Sequence, residues 1–194
     1  MLGCNEARMM TVEHKIILFV LATIGIVWVS RSSLRDVQSH GFYRFFAWEA
    51  ILILFLMNMN YWFVDPFSLR QIISWSFLIV SLVLIYQGVQ LFRGKGKLDP
   101  DRNDPALVGI EKTTELVTTG IYYYIRHPFY SSLLFLGWGI LLKNASWIGI
   151  LLAVITTILL RITARKEEIE NIQYFGEKYQ EYMKHTKMFV PFIF

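Results

Sequence analysis

The stretch Gln71-Ile72-Ile73-Ser74-Trp75-Ser76-Phe77-Leu78-Ile79-Val80-Ser81-Leu82-Val83-Leu84-Ile85-Tyr86-Gln87-Gly88-Val89-Gln90-Leu91-Phe92 contains no charged residue. A helix rises about 1.5 Å per residue and the hydrocarbon core of a bilayer is about 30 Å thick, so a run of this length reads as a membrane crossing. Inside the bilayer no water is present to bond the backbone, and a helix satisfies its own polar groups. Working outward from this segment, the expected fold class is all-α, a polytopic membrane helical bundle.

Upstream, Ile16 to Ser30 is uncharged and extends back through Val12. Arg31 and Arg35 follow it where a signal peptide would carry a small-residue cleavage site, so it reads as a retained span. Phe45 to Val64 is interrupted only by Glu49 and ends at Asp65 and Pro66. Downstream, Phe129 to Leu142 and Ala145 to Leu160 are apolar but short, separated by Lys143 and Asn144, which predicts a tight helical hairpin. Arg161 to Lys184, rich in Glu, Lys and Gln, reads as a helical continuation projecting from the membrane. About five transmembrane helices are expected, or four if the hairpin is re-entrant. The organisation expected is three N-terminal transmembrane helices over 1–92 and a catalytic region over 93–194.

Composition agrees with a membrane site. Hydrophobic residues make up 55% of the 194, and the mean hydropathy is +0.43, more than a water-soluble core requires. The net charge of +4 does not point to nucleic acid, because the basic residues lie between the apolar runs. One face receives fifteen of the 19 Lys and Arg, from 31–44, 93–126 and 161–194; the other receives Arg8, Lys15, Arg70 and Lys143. The positive-inside rule then places the C-terminus and the long 93–128 segment in the cytoplasm. One cysteine, Cys4, and four scattered histidines supply neither a disulfide nor metal-ligand spacing, so no metal is expected.

Polar residues converge on that cytoplasmic side. Gly120 to Tyr130 holds three consecutive tyrosines, the Arg126-His127 pair and Pro128, which suits a first helical turn. As an interfacial aromatic belt the segment would be unusually dense, since a belt needs only one or two such residues. Glu167 and Glu168 lie about two turns beyond the hairpin, where a desolvated carboxylate can hold a cationic ligand; otherwise they belong to a solvated helix face. Gln87 and Gln90 stand one turn apart and can face one cavity or bond a neighbouring helix. Glu49 reads most simply as a carboxylate snorkelling to the interface.

Leu116-Val117-Thr118-Thr119-Gly120-Ile121-Tyr122, then Arg126-His127-Pro128-Phe129-Tyr130, the hairpin, Glu167-Glu168, Phe175-Gly176, Tyr179, Tyr182 and Pro191-Phe192 together resemble the isoprenylcysteine carboxyl methyltransferases. The likeness covers roughly 87–194. It implies a membrane enzyme with a cytoplasmic pocket for S-adenosylmethionine, converted to S-adenosylhomocysteine. It also implies a lipophilic or prenylated acceptor, either a small molecule or a protein C-terminus, reached from membrane lipid.

By position it implies that Gln90, Thr114, Glu115, Leu116, Val117, Tyr122, His127, Pro128, Phe129, Tyr130 and Glu167 surround the cofactor. Thr114 departs from the histidine often found there. Glu167, with Glu168 beside it, suits the cofactor's ammonium, and His127 or Arg126 its carboxylate. An arginine before the glutamate pair contacts the acceptor in that family; Arg161 and Arg165 both fit, so the catalytic candidates are Arg161, Arg165 and Glu167. Related readings are a phospholipid or amine N-methyltransferase, the C-terminal part of a sterol reductase, and a non-catalytic membrane scaffold.

Overall fold

The computed structural model describes residues 10–95 and 115–191. Six α-helices follow in order: α1 Val12–Ser30, α2 His40–Asn58, α3 Leu69–Lys95, α4 Pro128–Leu141, α5 Trp147–Phe175 and α6 Glu177–His185. Short 3-10 turns occupy Ser33–Arg35, Met59–Tyr61 and Gly120–Tyr123. The described residues form no named strand; the one extended pairing is an isolated parallel bridge between Ile125 and Lys187.

Among the described residues, four helices are long and apolar enough to cross a membrane, namely α1, α2 with its 3-10 extension to Tyr61, α3 and α5. The fourth helix is apolar but shorter, 14 residues. At about 1.5 Å per residue it spans about 21 Å, short of a full hydrocarbon core by itself.

Three of the helices begin where local chemistry favours it. The Ser39 side chain caps α2 by accepting from the Gly41 N–H at 3.1 Å, and Ser146 does the same for α5 through Gly149 at 3.1 Å. Pro128 occupies the first turn of α4, where a missing N–H costs nothing. The expected continuous stem after the hairpin is instead two helices. Gly176, at φ 63° and ψ −138°, breaks it between α5 and α6, a backbone conformation open to glycine and hardly to any other residue.

The helices pack as two principal pairs, α2 with α5 and α3 with α4, while α1 lies against α2. One apolar cluster joins Ile51, Leu54, Leu78, Ile140, Leu141 and Ala153; a second joins Ala47, Tyr130, Leu160, Ala164 and Phe189. Between α1 and α2, the Thr23 hydroxyl donates to the Glu49 carboxylate at 2.9 Å. Glu49 is thus engaged between two helices, which differs from the snorkelling carboxylate expected from its position.

At the hairpin tip Lys143 is fully buried. Its ammonium donates to Gln71 Oε1 at 3.0 Å and lies 3.6 Å from the centroid of the Trp75 ring, while the Arg70 guanidinium bonds the Leu142 and Lys143 carbonyls. This ties the α4–α5 turn to the beginning of α3. At the other end of the bundle, the Gly120–Tyr130 segment, the post-hairpin part of α5 and the C-terminal residues meet.

Candidate active site

The loop before α4 is held by backbone pairing to the chain end. Arg126 N–H donates to the Lys187 carbonyl at 2.8 Å, His127 N–H to Met188 at 3.2 Å, and Lys187 N–H to Tyr124 at 3.0 Å. The Ser131 hydroxyl adds a bond to the Phe189 carbonyl at 2.8 Å. Residues 186–190 therefore lie alongside 124–127 and fix the height of His127. Nothing periodic in the C-terminal sequence announces this, because the pairing is a single extended contact.

Within that frame the His127 imidazole is buried between two carboxylates. Nδ1 is 3.8 Å from Glu167 Oε2 and Nε2 is 3.4 Å from Glu168 Oε1. Its ring stacks on Tyr130, centroids 5.4 Å apart. Glu167 also lies beside Tyr130 and faces His127, His40 and Arg44. Its side chain keeps 19% exposure against 9% for Glu168, so of the pair it is Glu167 that opens outward.

Arg126 is engaged on several sides. Nε donates to Glu168 Oε1 at 2.7 Å, and Nη1 donates to the Met183 carbonyl at 3.3 Å and to the Thr186 carbonyl. It closes the last turns of α6 against α5, satisfying carbonyls a helix C-terminus leaves unpaired. Tyr122 is buried, and its carbonyl accepts from the Tyr182 hydroxyl at 2.6 Å. Burial raises Tyr179 and Tyr182 above the ordinary tyrosine range, and the nearby charges of Glu167 and Glu168 add to the effect at Tyr179.

The other expected site residues divide into groups. Val117, Pro128 and Tyr130 are buried, Leu116 and Phe129 half-buried, and Glu115 exposed. Thr114 lies outside the described residues. Gln87 and Gln90 do face one cavity, an open cleft of about 500 Å³ shared with Leu91, Gly120, Ile121 and Tyr124. Gly120 lines it at φ 63°, and an added Cβ there would come within 2.6 Å of Leu91. Arg161 and Arg165 are both exposed, one turn apart, continuing the exposed apolar stripe of Leu151, Val154, Ile155 and Ile158.

Two residues escaped the reading of the sequence. His40 and Arg44, at the start of α2, are buried beside the Glu167 cluster. His40 Nδ1 bonds Glu170 Oε2, and its backbone N–H lies 3.4 Å from Glu170 Oε1. The only signal available was two basic side chains at the head of an apolar run, which reads equally as a membrane flank.

The assembled site is a buried set of carboxylates, imidazoles and guanidinium groups at one end of a membrane bundle, joined by tyrosines and bordered by lipid-facing helix. Among the described residues it sits in a bundle with four helices long and apolar enough to cross a membrane. Residues 105–185 match the family model described as phospholipid methyltransferase. Human protein-S-isoprenylcysteine O-methyltransferase is 36% identical over 83 residues, covering 42% of this chain and 29% of the relative. The Xenopus laevis protein of the same name is 33% identical over 131 residues, 65% and 44%. Methanethiol S-methyltransferase of Pseudomonas deceptionensis is 30% identical over 120 residues, 61% and 42%. The chain is therefore similar, at modest identity, to membrane methyltransferases of the isoprenylcysteine O-methyltransferase and methanethiol S-methyltransferase type, and it spans less than half the length of these relatives. No solved structure matches.

Proposed function

We propose that this chain is an integral-membrane methyltransferase that takes a methyl group from S-adenosylmethionine. Its acceptor is lipophilic, best represented by the C-terminal carboxylate of a prenylated cysteine, and the site faces the cytoplasm. The observation that carries the reading is the 3.8 Å approach of His127 to Glu167 across a buried loop and stem, in a segment matched to a methyltransferase family.

The residues present fit the cofactor. When bound, S-adenosylmethionine supplies an electrophilic methyl carbon on a sulfonium. Glu167, the more open carboxylate, pairs with its ammonium, and His127 binds its carboxylate. The rings of Tyr122 and Tyr130 offer faces to the cationic sulfur, an attraction of about 0.5 to 2 kcal/mol depending on dehydration. Leu116, Val117, Pro128 and Phe129 exclude water, with Gln90 toward the cleft. Arg126 and Glu168, bonded to each other, hold the loop against the stem.

A carboxylate acceptor is already a nucleophile, so the site needs orientation more than a base, and orientation can be worth about 7 to 11 kcal/mol in intramolecular reactions. Its oxygen forms the new bond to the methyl carbon as the sulfur–carbon bond breaks. Arg161 or Arg165, on the stripe that continues the lipid-facing side of α5, meets the acceptor's charge as its tail enters from the bilayer. A second reading, a small thiol acceptor, is favoured by the likeness to methanethiol S-methyltransferases. It differs in requiring removal of a proton.

Radiolabelled methyl transfer by the protein in nanodiscs, offered N-acetyl-S-farnesylcysteine, methanethiol and phosphatidylethanolamine in parallel, tests both readings. Transfer to the farnesylcysteine analogue is expected, lowered about a hundredfold in Glu167→Ala and in His127→Ala, because displaced cofactor groups cost that order of rate. Label on methanethiol alone selects the second reading. Wild type that binds no S-adenosylhomocysteine overturns both.

A further inference from the structure

The family match begins at residue 105, yet the cradle around Glu167 is completed from α2, outside it. Glu167, Glu168 and Glu170 occupy little more than one turn of α5. Successive helical residues are about 100° apart, so Glu168 and Glu170 flank Glu167 at about +100° and −60° around the axis. Each flanking carboxylate is taken by a different element. Glu168 is bound by Arg126 from the loop at 2.7 Å, and Glu170 by the ring and the backbone N–H of His40 from α2. Two pins on either side of one side chain fix the rotation of a helix.

We propose that His40 is a positioning residue: through Glu170 it sets, together with the Arg126–Glu168 pin, the rotation of α5 that presents Glu167 to the ligand, so that the second span is part of the functional site. This rests on the methyltransferase reading and names a contributor to the same site. Arg44, one turn further along α2, sits beside both His40 and Glu167 and offsets the crowding of carboxylates there. His40 is fully buried, and its side-chain bond is to Glu170. Asparagine at position 40 can place an amide donor near the site of Nδ1, whereas leucine cannot donate at all.

Binding of S-adenosylhomocysteine to the full chain in nanodiscs, measured by calorimetry, tests the proposal. His40→Leu is expected to weaken binding about tenfold, equivalent to about 1.4 kcal/mol, while His40→Asn stays near wild type. If His40 acts through Glu167, then in a Glu167→Gln background His40→Leu adds no further loss, a non-additivity that general destabilisation would not produce. Should His40→Leu fail to fold, Glu170→Gln read in the same two backgrounds serves instead. Equal binding by wild type and folded His40→Leu, or additive losses, overturns the proposal while leaving the methyltransferase reading intact. Wild type that binds nothing removes both.

Discussion

Arg126 shows what a single residue contributes here and how little of it is local. Its partners Glu168, Met183 and Thr186 lie 42 to 60 positions away, and His40 meets Glu170 at a separation of 130. Arg126, His127, Glu167 and Glu168 stand out in the sequence and His40 and Arg44 do not; which of them pair was not legible, because no periodicity links a loop to a helix so distant. Arg126 and Glu168 are 10% and 9% exposed, and removing one member of a buried pair strands the other charge, at about 3 to 5 kcal/mol. Arg126→Gln is therefore expected to lower the unfolding midpoint followed by tryptophan fluorescence. Arg126→Met with Glu168→Leu should recover part of the loss, since neither charge is then left unpaired. Tyr182 gives a pH prediction. Burial raises its folded value above that of an unfolded tyrosine, about 10. The sign follows: the folded state keeps the proton that the unfolded chain releases, so this stability is whole below about pH 10 and is lost as pH rises beyond it. Tyr182→Phe should be less stable at neutral pH for want of its bond to Tyr122, yet flatter in its alkaline unfolding curve.

Among elements, the three N-terminal spans were legible because absence of charge over about 20 residues has one common physical meaning. The stem after the hairpin was not, because helix-forming residues on both sides of Gly176 hide the break. One glycine within a polar helical pattern costs only about 1 kcal/mol and does not by itself stop a helix. Tertiary contacts then hold α6 in place: the carbonyls ending it are gathered by Arg126, and the segment beyond turns back along residues 124–127. The strain is confined to the backbone, since a Cβ at Gly176 would meet nothing within 4 Å. Gly176→Ala should accordingly cost about 1 to 3 kcal/mol, the usual range for an unfavourable backbone conformation. It should release α6 first, seen as faster proteolysis within residues 177–185 before the spans unfold.

For the whole molecule, the open matter at the level of sequence was whether the short hairpin crosses or re-enters, and packing against α3 bears on it. Phe129, at the start of α4, closes on Gly88, while Lys143 at the hairpin tip bonds Gln71, and Arg70 bonds the tip carbonyls. Those two contact points lie 17 residues apart along a helix that rises about 1.5 Å per residue, hence about 26 Å, close to the hydrocarbon thickness. The tip thus reaches the level where α3 itself begins, with its basic residue lodged against Trp75 and Gln71. We therefore propose five crossings, with the hairpin tip and the Glu167 cradle at opposite faces, the basic-residue asymmetry placing the cradle inside. In a Cys4→Ser background, a membrane-impermeant maleimide should label Ala145→Cys on intact cells and Lys184→Cys only on inverted vesicles. Both positions are exposed, so reactivity reports the side of the membrane and not burial. Ala145→Cys protected on both faces would mean that the tip stays within the bilayer, and α3 would then have to begin there as well.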